Sequence, residues 1–127
     1  MPTHILIATD QDYDRVLEFL VNDVEFDPCW VVPKNAEEGD ACVLSHRGKG
    51  LFAYATLQVE ATPDGRTKGR YVAMLTGIEP VLPHVPHAVL KEAFPDWAWA
   101  TYPRSYTSVE GELEDRVHAL LARKFHQ

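Results

Sequence analysis

The sequence predicts an α+β fold in which a small, strongly bent β-sheet or partly closed barrel carries helices at its ends. Five segments have strand character, and four of them follow one another with short links between residues 29 and 78. Helical periodicity is restricted to the two ends of the chain and one short segment after the strands. The regular strand–helix alternation of a doubly wound parallel sheet is absent. We therefore expect a sheet of about five to six strands that curls so that its apolar face is covered.

The N-terminal segment predicts a strand followed by an amphipathic helix. Residues 4–8 (HILIA) form a short apolar run of the kind that favours a strand. Thr9 and Asp10 then supply N-cap chemistry. The helix is predicted from apolar residues at helical spacing, namely Tyr13, Val16, Leu17, Leu20 and Val21.

The central strands are predicted from short apolar runs that turn residues separate. CWVVP at 29–33 is the first of these runs, and Gly39–Asp40 leads into ACVLSH. RGKG at 47–50 is a four-residue hairpin connection to LFAYATLQVE, whose alternating pattern indicates one buried face. A basic, turn-rich segment, ATPDGRTKGR, precedes the last of these strands, RYVAMLTGI.

The C-terminal third predicts two helices with an aromatic loop between them. Pro86 is placed as the first residue of a short helix, and Pro95 stops that helix. WAWATYPRSYTSV at 97–109 has no helical periodicity and is interpreted as an irregular loop. Thr107 to Glu110 has the spacing of a capping box, which would open the C-terminal helix.

Length and charge limit the classes of function. The 127 residues suffice for a single domain, predicted to span 1–127. The net charge is −7, and residues 1–27 carry seven acids and one base, a net charge of −6. Residues 28–127 carry twelve acids and eleven bases, so most of the chain is close to neutral. This distribution excludes a uniformly basic nucleic-acid binder but leaves room for a local basic site.

Cysteine use and hydropathy predict a cytoplasmic protein. Cys29 and Cys42 lie in apolar runs without CxxC or zinc-knuckle spacing, so we expect buried structural thiols. No apolar stretch approaches the roughly 20 residues of a membrane span. The N-terminus lacks the basic and apolar regions of a signal peptide. We therefore expect no membrane partner.

Motifs of the common enzyme classes are absent from the sequence. It contains no GxGxxG, P-loop, GxSxG or HExxH pattern. His84 and His87 are three residues apart, but no nearby Cys or carboxylate completes a zinc site. Ser105 would need a distant His and Asp to act as a nucleophile, and the local spacing specifies neither. We expect a non-enzymatic protein without a metal or cofactor.

Aromatic and basic residues instead predict a binding site. Trp30 lies on a predicted strand, and Trp97 and Trp99 open the aromatic loop. Each Trp either packs in the core at the end of the barrel or forms a flat wall for a flipped base or planar ligand. Stacking on such a wall contributes about 1–3 kcal/mol per base and needs no charge. Phosphate contacts are predicted from cations in the links between strands: Arg47, Lys49, Arg66, Lys68 and Arg70.

The order of these motifs resembles the EVE-like branch of the PUA-like superfamily. It is most similar to the EVE-like domains that accompany HNH nucleases in modification-dependent restriction. The similarity extends from about residue 30 to residue 109. The segments that carry it are, in order, CWVVPK, EEGDACVLSH, RGKGLFAYATL, YVAML, LPHVPHAVLKEAF and a W-x3-P-R-S-x-T pattern that leads into a helix.

The resemblance implies a PUA-like bent β-barrel with helices packed at its ends and a pocket beside the barrel that takes a modified base. In this chain Trp30, Val32 and Lys34 would line one side of that pocket. The opposing loop would consist of Trp99, Arg104, Ser105 and Thr107. The bulky phenol of Tyr106 would either fill the pocket or become part of its wall.

The resulting hypothesis is a non-enzymatic module that binds DNA or RNA through a flipped base carrying a methyl group or another modification. A separate nuclease or effector protein would carry out any cleavage. Two alternatives stay open. One is a regulatory module that binds a small molecule or nucleotide in the same pocket. The other is an ASCH-like nucleoside hydrolase, in which Lys34 would act with Glu37 or Glu38.

Overall fold

The fold is a curled, mixed β-sheet with helices on both faces. The computed structural model describes residues 2–101 and 106–125. Its strands are β1 (Thr3–Ala8), β2 (Cys29–Val32), β3 (Ala41–His46), β4 (Gly50–Leu57), β5 (Thr62–Pro63), β6 (Tyr71–Val85) and β7 (Tyr106–Val109). Its helices are α1 (Asp10–Asn22), α2 (His87–Ala93), α3 (Ala98–Thr101) and α4 (Gly111–Phe125).

The strands lie side by side in the order β2-β6-β4-β3-β1-β7, and the short β5 pairs with β6 outside this path. β1 runs parallel to β3, with Ile5 opposite Val43. It runs antiparallel to β7, with Leu6 opposite Tyr106. The remaining pairings are antiparallel. The N-terminal strand therefore lies inside the sheet, and β2 and β7 end the path.

Alternating residues of β1 divide the buried side chains into two clusters. Leu6 belongs to one cluster and Ile5 to the other. Successive side chains of a strand point to opposite faces, so the two clusters lie on opposite faces of the sheet. The first core cluster comprises Leu6, Ala8, Val16, Trp30, Val32, Ala36, Cys42, Leu44, Phe52, Ala53, Ala55, Leu57, Ala73 and Leu75. The second core cluster comprises Ile5, Val43, Leu51, Val81, Val85, Leu90, Phe94, Trp99, Ala100, Val109, Val117 and Leu121.

The two long helices cover the two faces. The predicted N-cap of α1 is confirmed, because the Thr9 hydroxyl accepts the Asp12 N–H at 3.1 Å and Asp12 accepts the Thr9 N–H at 3.2 Å. α1 buries Val16 in the first core cluster, and α4 buries Val117 and Leu121 in the second. No helix in the described part of the chain is long and apolar enough to cross a membrane.

Strong curvature brings β2 back toward β1. Trp30 donates its indole N–H to the Ile7 carbonyl at 3.0 Å, although three strands separate β2 from β1 in the sheet order. Register shifts in the β3–β4 and β4–β6 pairings add the local bending that bulges produce. The prediction of an α+β fold with a strongly bent, half-closed sheet is confirmed, and six strands follow its path.

The C-terminal third differs from the prediction. Residues 106–109 form β7, so the capping-box prediction is wrong, and α4 begins at Gly111. β7 pairs with β1 and buries Val109 in the second core cluster, and these long-range contacts outweigh the local capping pattern. Residues 98–101 form α3 inside the segment predicted to be irregular. Pro86 is the N-cap of α2 with extended backbone, one residue before the helix begins.

Candidate ligand pocket

A pocket of about 460 Å³ lies where the curled sheet brings β2 and β6 close to β1 and β7. We call it the seam pocket. It is lined by Ile7, Thr9, Asp12, Cys29, Trp30, Val31, Gly69, Arg70, Tyr71 and Tyr106. Its volume is within the range of sites that bind small molecules. Strands supply most of the wall, and the first turn of α1 and the link before β6 supply the rest.

Trp30 forms a buried wall of the seam pocket. Its side chain belongs to the first core cluster, and the residue is 5% exposed. The indole N–H is already donated to the Ile7 carbonyl, so a ligand cannot use it. Trp30 therefore ties β2 to β1 and offers the pocket apolar ring surface only.

Two tyrosines supply the more accessible aromatic surface. Tyr106 on β7 is 40% exposed, and Tyr71 at the start of β6 is half-buried. The Lys34 ammonium lies 5.9 Å from the centre of the Tyr71 ring, which is within cation–π range. The pocket is open with Tyr106 in its wall, so this phenol is part of the pocket and does not fill it.

Among the described residues, the seam pocket is lined by one cation and one carboxylate, Arg70 and Asp12. Arg70 is exposed, and Asp12 is half-buried. Asp12 accepts the Thr9 N–H at 3.2 Å, which holds its carboxylate at the first turn of α1, where the helix dipole favours negative charge. This balance favours a neutral planar group inside the pocket, with any phosphate outside it.

The sheet separates the predicted site residues. Trp99 is 8% exposed in the second core cluster, whereas Trp30 lies in the first. Thr107 pairs with a residue of β1 that belongs to the second cluster, so it shares that face. Trp99 and Thr107 therefore lie across the sheet from Trp30. Arg104 and Ser105 lie outside the described residues.

The other residues predicted beside Trp30 divide between the core and the surface. Val32 is buried in the first core cluster, and Lys34 is exposed. Alternation along β2 explains why Val32 is buried, because Trp30 and Val32 point inward on the same face. The half-buried Val31 between them lines the seam pocket. Lys34 approaches this site only through its contact with Tyr71.

The five predicted phosphate-binding residues are exposed and belong to two links between strands. Arg47 and Lys49 lie between β3 and β4, and Arg66, Lys68 and Arg70 lie between β5 and β6. Arg70 itself lines the seam pocket. His46 donates to Asp10 at 2.6 Å, which places the β3–β4 link beside the start of α1. Both links are therefore next to elements that form the pocket.

Cys29 places a thiol in the seam pocket. It is exposed, whereas Cys42 is buried, so the expectation of two buried thiols is wrong for Cys29. Burial, with a smaller contribution from Asp40, raises the pKa of the Cys42 thiol to about 12. The pKa of Cys29 is also raised, first by partial burial and then by Asp27 and Asp64. A reagent in solvent therefore reaches the thiol in the pocket and not the thiol in the core.

The lysine–glutamate pair of the hydrolase alternative is not assembled at one cavity. Glu37 and Glu38 line a separate hollow together with Val59 and Glu60. Lys34 does not line that hollow, and its ammonium lies over Tyr71. The described residues thus bring three carboxylates together there without the lysine that the hydrolase would need.

Histidines of the described chain pair with hydroxyl, carboxylate and carbonyl groups. Tyr13 donates its hydroxyl to His84 Nε2 at 2.9 Å, and His84 Nδ1 donates to the Val81 carbonyl at 3.0 Å. Burial, followed by the nearby Asp14, raises the pKa of Tyr13. Residues 2–101 and 106–125 contain no group of three His, Cys, Asp or Glu side chains that could hold a metal ion.

Comparison with known proteins shows a similar fold and identifies no family. No family model matches the sequence, and no curated protein matches it. The NMR structure of Rpa0253 from Rhodopseudomonas palustris, a structural genomics target, is similar with a TM-score of 0.67 at 17% sequence identity. The match covers 95% of this chain and 92% of that chain. At this identity the similarity shows the fold alone.

Several pocket residues are not found by reasoning from the sequence. Tyr71 begins a predicted strand, and Asp12 occupies an ordinary helix-capping position, so neither carries a local signal of ligand binding. They meet only because the sheet curls. The sequence does mark three of the pocket residues, namely Trp30, Arg70 and Tyr106.

Proposed function

We propose that this chain is a nucleic-acid-binding module that takes a modified base of DNA or RNA into the seam pocket. The seam pocket is the observation that carries the proposal, since its volume is about 460 Å³ and its lining includes Trp30, Tyr71 and Tyr106. An extruded base needs an apolar or aromatic surface to stack on and polar groups at its edge. Tyrosine hydroxyls, Thr9 and Asp12 supply those polar groups.

In this proposal Tyr106 and Tyr71 are the stacking surfaces, and Trp30 is the fixed wall behind them. Tyr106 is the most accessible of the three rings. Trp30 has no free N–H and little exposed area. Stacking of one base on an exposed ring contributes about 1–3 kcal/mol. Removal of the Tyr106 ring should therefore weaken binding more than a conservative change at Trp30.

The two basic links supply the phosphate contacts. Arg70 lies at the pocket, and the link that carries Arg47 and Lys49 lies beside the start of α1. The net charge of −7 limits long-range attraction to a polyanion. We therefore expect modest affinity for an unmodified oligonucleotide and a shallow dependence on salt.

The resemblance to EVE-like domains supports the same assignment and adds a partner. In this proposal the module recognises the base and carries no chemistry for strand cleavage. A separate nuclease or effector protein would act on the bound nucleic acid. The modification would be sensed by the shape of the pocket between the aromatic rings.

A binding panel tests the proposal. Fluorescence anisotropy would be measured with single- and double-stranded oligonucleotides that carry unmodified bases, 5-methylcytosine or N6-methyladenine. Tyr106→Ala and Tyr71→Ala should each weaken binding of the preferred oligonucleotide by roughly 5- to 150-fold, which corresponds to the stacking energy. Leu82→Ala is the matched control, since Leu82 is 55% exposed and does not line the pocket.

Three outcomes would overturn the proposal. The first is no measurable binding to any oligonucleotide in the panel. The second is equal affinity for modified and unmodified oligonucleotides. The third is equal loss of binding in Tyr106→Ala and Leu82→Ala. Binding of the free modified nucleoside without salt dependence would instead favour the regulatory small-molecule alternative.

A further inference from the structure

The hydroxyl of Ser108 on β7 is hydrogen-bonded to a buried histidine, which is in turn hydrogen-bonded to a buried aspartate. Its Oγ lies 2.7 Å from His4 Nδ1, and His4 Nε2 lies 2.8 Å from Asp40 Oδ2. The His4 and Asp40 side chains are 0% and 3% exposed, whereas Ser108 is exposed. Serine, imidazole and carboxylate are thus arranged in line, and the serine faces solvent.

The hydrogen bonds determine which nitrogen of His4 carries the proton. A carboxylate only accepts, so Nε2 holds the hydrogen that it donates to Asp40 Oδ2. The same oxygen accepts the Glu37 N–H at 3.0 Å, which holds the carboxylate in place. In the neutral form of His4, the lone pair of Nδ1 then faces the Ser108 hydroxyl. This is the protonation state that a base needs in order to activate a serine nucleophile.

Two other contacts between a Ser or Thr hydroxyl and an imidazole in the described residues lack these features. Ser45 Oγ lies 2.7 Å from His87 Nε2, but Ser45 is 0% exposed, and His87 Nδ1 faces the Arg47 carbonyl at 3.4 Å. Thr3 contacts His118 Nε2 at 2.8 Å, but Thr3 is also 0% exposed. Ser108 alone among these three hydroxyl residues combines exposure to solvent with an imidazole that a carboxylate orients.

We propose that Ser108 is an activated nucleophile that accepts an acyl group from activated esters, with His4 as its base and Asp40 as the positioning residue. The Ser108 Oγ–H proton passes to His4 Nδ1 as Oγ attacks the acyl carbon. A bond forms between Oγ and that carbon, and the bond from the carbon to the leaving oxygen breaks. The electron pair leaves with that oxygen, which is released as an aryl oxide. The product is O-acyl Ser108, and this proposal does not rest on the proposed function.

The position of β7 suits this chemistry. β7 pairs only with β1 in the described chain and lies at the end of the sheet path. An edge strand leaves backbone N–H groups on its outer side unpaired by the sheet. Tyr106 and Ser108 are both exposed on this edge, so a donor can approach Ser108 from solvent.

The test uses the folded protein and a fluorophosphonate, which modifies serines that a base has activated. The sequence contains three serines, Ser45, Ser105 and Ser108, so fragment-ion mass spectrometry assigns the adduct. We expect one adduct, on Ser108, formed about 100-fold faster or more than on the other two serines, the range that a positioned base provides. The Ser108 adduct should be lost in Ser108→Ala and should persist in Ser45→Ala and Ser105→Ala.

A comparison of native and urea-unfolded wild-type protein gives a second readout that needs no variant. Labelling of Ser108 should fall to the rate of the other serines in urea, because unfolding separates Ser108 from His4. Folded His4→Gln should show the same fall. The proposal is wrong if the native protein gives no Ser108 adduct, or if Ser108 reacts equally fast in urea.

Discussion

Substitution of Trp30 by Phe tests whether this residue holds β2 against β1 or provides the surface on which the ligand stacks. The indole N–H bonds to the Ile7 carbonyl at 3.0 Å and joins β2 to β1 across the curled sheet. Phe retains an aromatic ring but has no N–H. The Ile7 carbonyl would lose its partner, at a cost of about 1–3 kcal/mol. The smaller ring would also leave part of the site of this 5% exposed side chain unfilled, for about another 1 kcal/mol.

The expected loss of unfolding free energy in Trp30→Phe is therefore roughly 2–4 kcal/mol. Urea unfolding followed by circular dichroism should show a midpoint lowered by roughly 1–2 M at an unchanged slope. Trp97→Phe is the matched control, and its smaller expected loss follows from the half-buried position of Trp97. A Trp30→Phe protein as stable as the wild type would show that the indole hydrogen bond does not hold β2 against β1. A large loss of oligonucleotide affinity in folded Trp30→Phe would show that Trp30, and not Tyr106, is the stacking surface.

Two further predictions concern Gly50 and His87. Gly50 has φ of +84°, and an added Cβ would lie 2.1 Å from the Val85 carbonyl oxygen, so Gly50→Ala should lose more than about 2 kcal/mol in urea unfolding. Gly48→Ala, whose nearest added contact is His46 at 3.5 Å, should stay within about 0.5 kcal/mol of the wild type. An equal loss in both variants would contradict this close approach of β4 to the end of β6. Burial lowers the pKa of His87 below its ordinary value of 6.5. The unfolded state therefore binds more protons than the folded state as the pH falls below about 6.5, and the free energy of unfolding decreases. Between pH 7.5 and pH 5, the free energy of unfolding measured in urea titrations should therefore fall less for His87→Gln than for the wild type. An identical fall in both proteins would contradict the role of His87 in this pH dependence.

The sequence predicts well those elements whose signals are local. Thr9 caps α1 as expected, because a hydroxyl before an amphipathic repeat satisfies free N–H groups whatever the rest of the chain does. β7 is missed, because its four residues become a strand only through pairing with β1, about a hundred positions earlier. The Thr107–Glu110 pattern has a local helix signal, and the long-range pairing overrides it.

The candidate site shows the same limit. Trp30 and Trp99 look alike in the sequence, since each is an aromatic residue in a short apolar segment. The curl of the sheet places one in each core cluster, and no local pattern indicates the face. Arg70 is recognisable because it ends a basic link, whereas Tyr71 and Asp12 join it only through the tertiary fold. The aromatic content of the sequence therefore indicates a binding site with aromatic walls, but only the three-dimensional fold shows which residues form it.

Alkylation of Cys29 in the presence of oligonucleotide tests the central claim most directly. Cys29 lines the seam pocket, and Cys42, whose pKa burial raises to about 12, is the internal control. Iodoacetamide at pH 8.5 should modify Cys29 and leave Cys42 unmodified in the folded protein, as measured by mass spectrometry. An oligonucleotide with the preferred modified base should slow Cys29 alkylation in a saturable manner, and the unmodified sequence should do so only at much higher concentration. An unchanged Cys29 rate at concentrations where anisotropy shows the oligonucleotide to be bound would contradict recognition in the seam pocket.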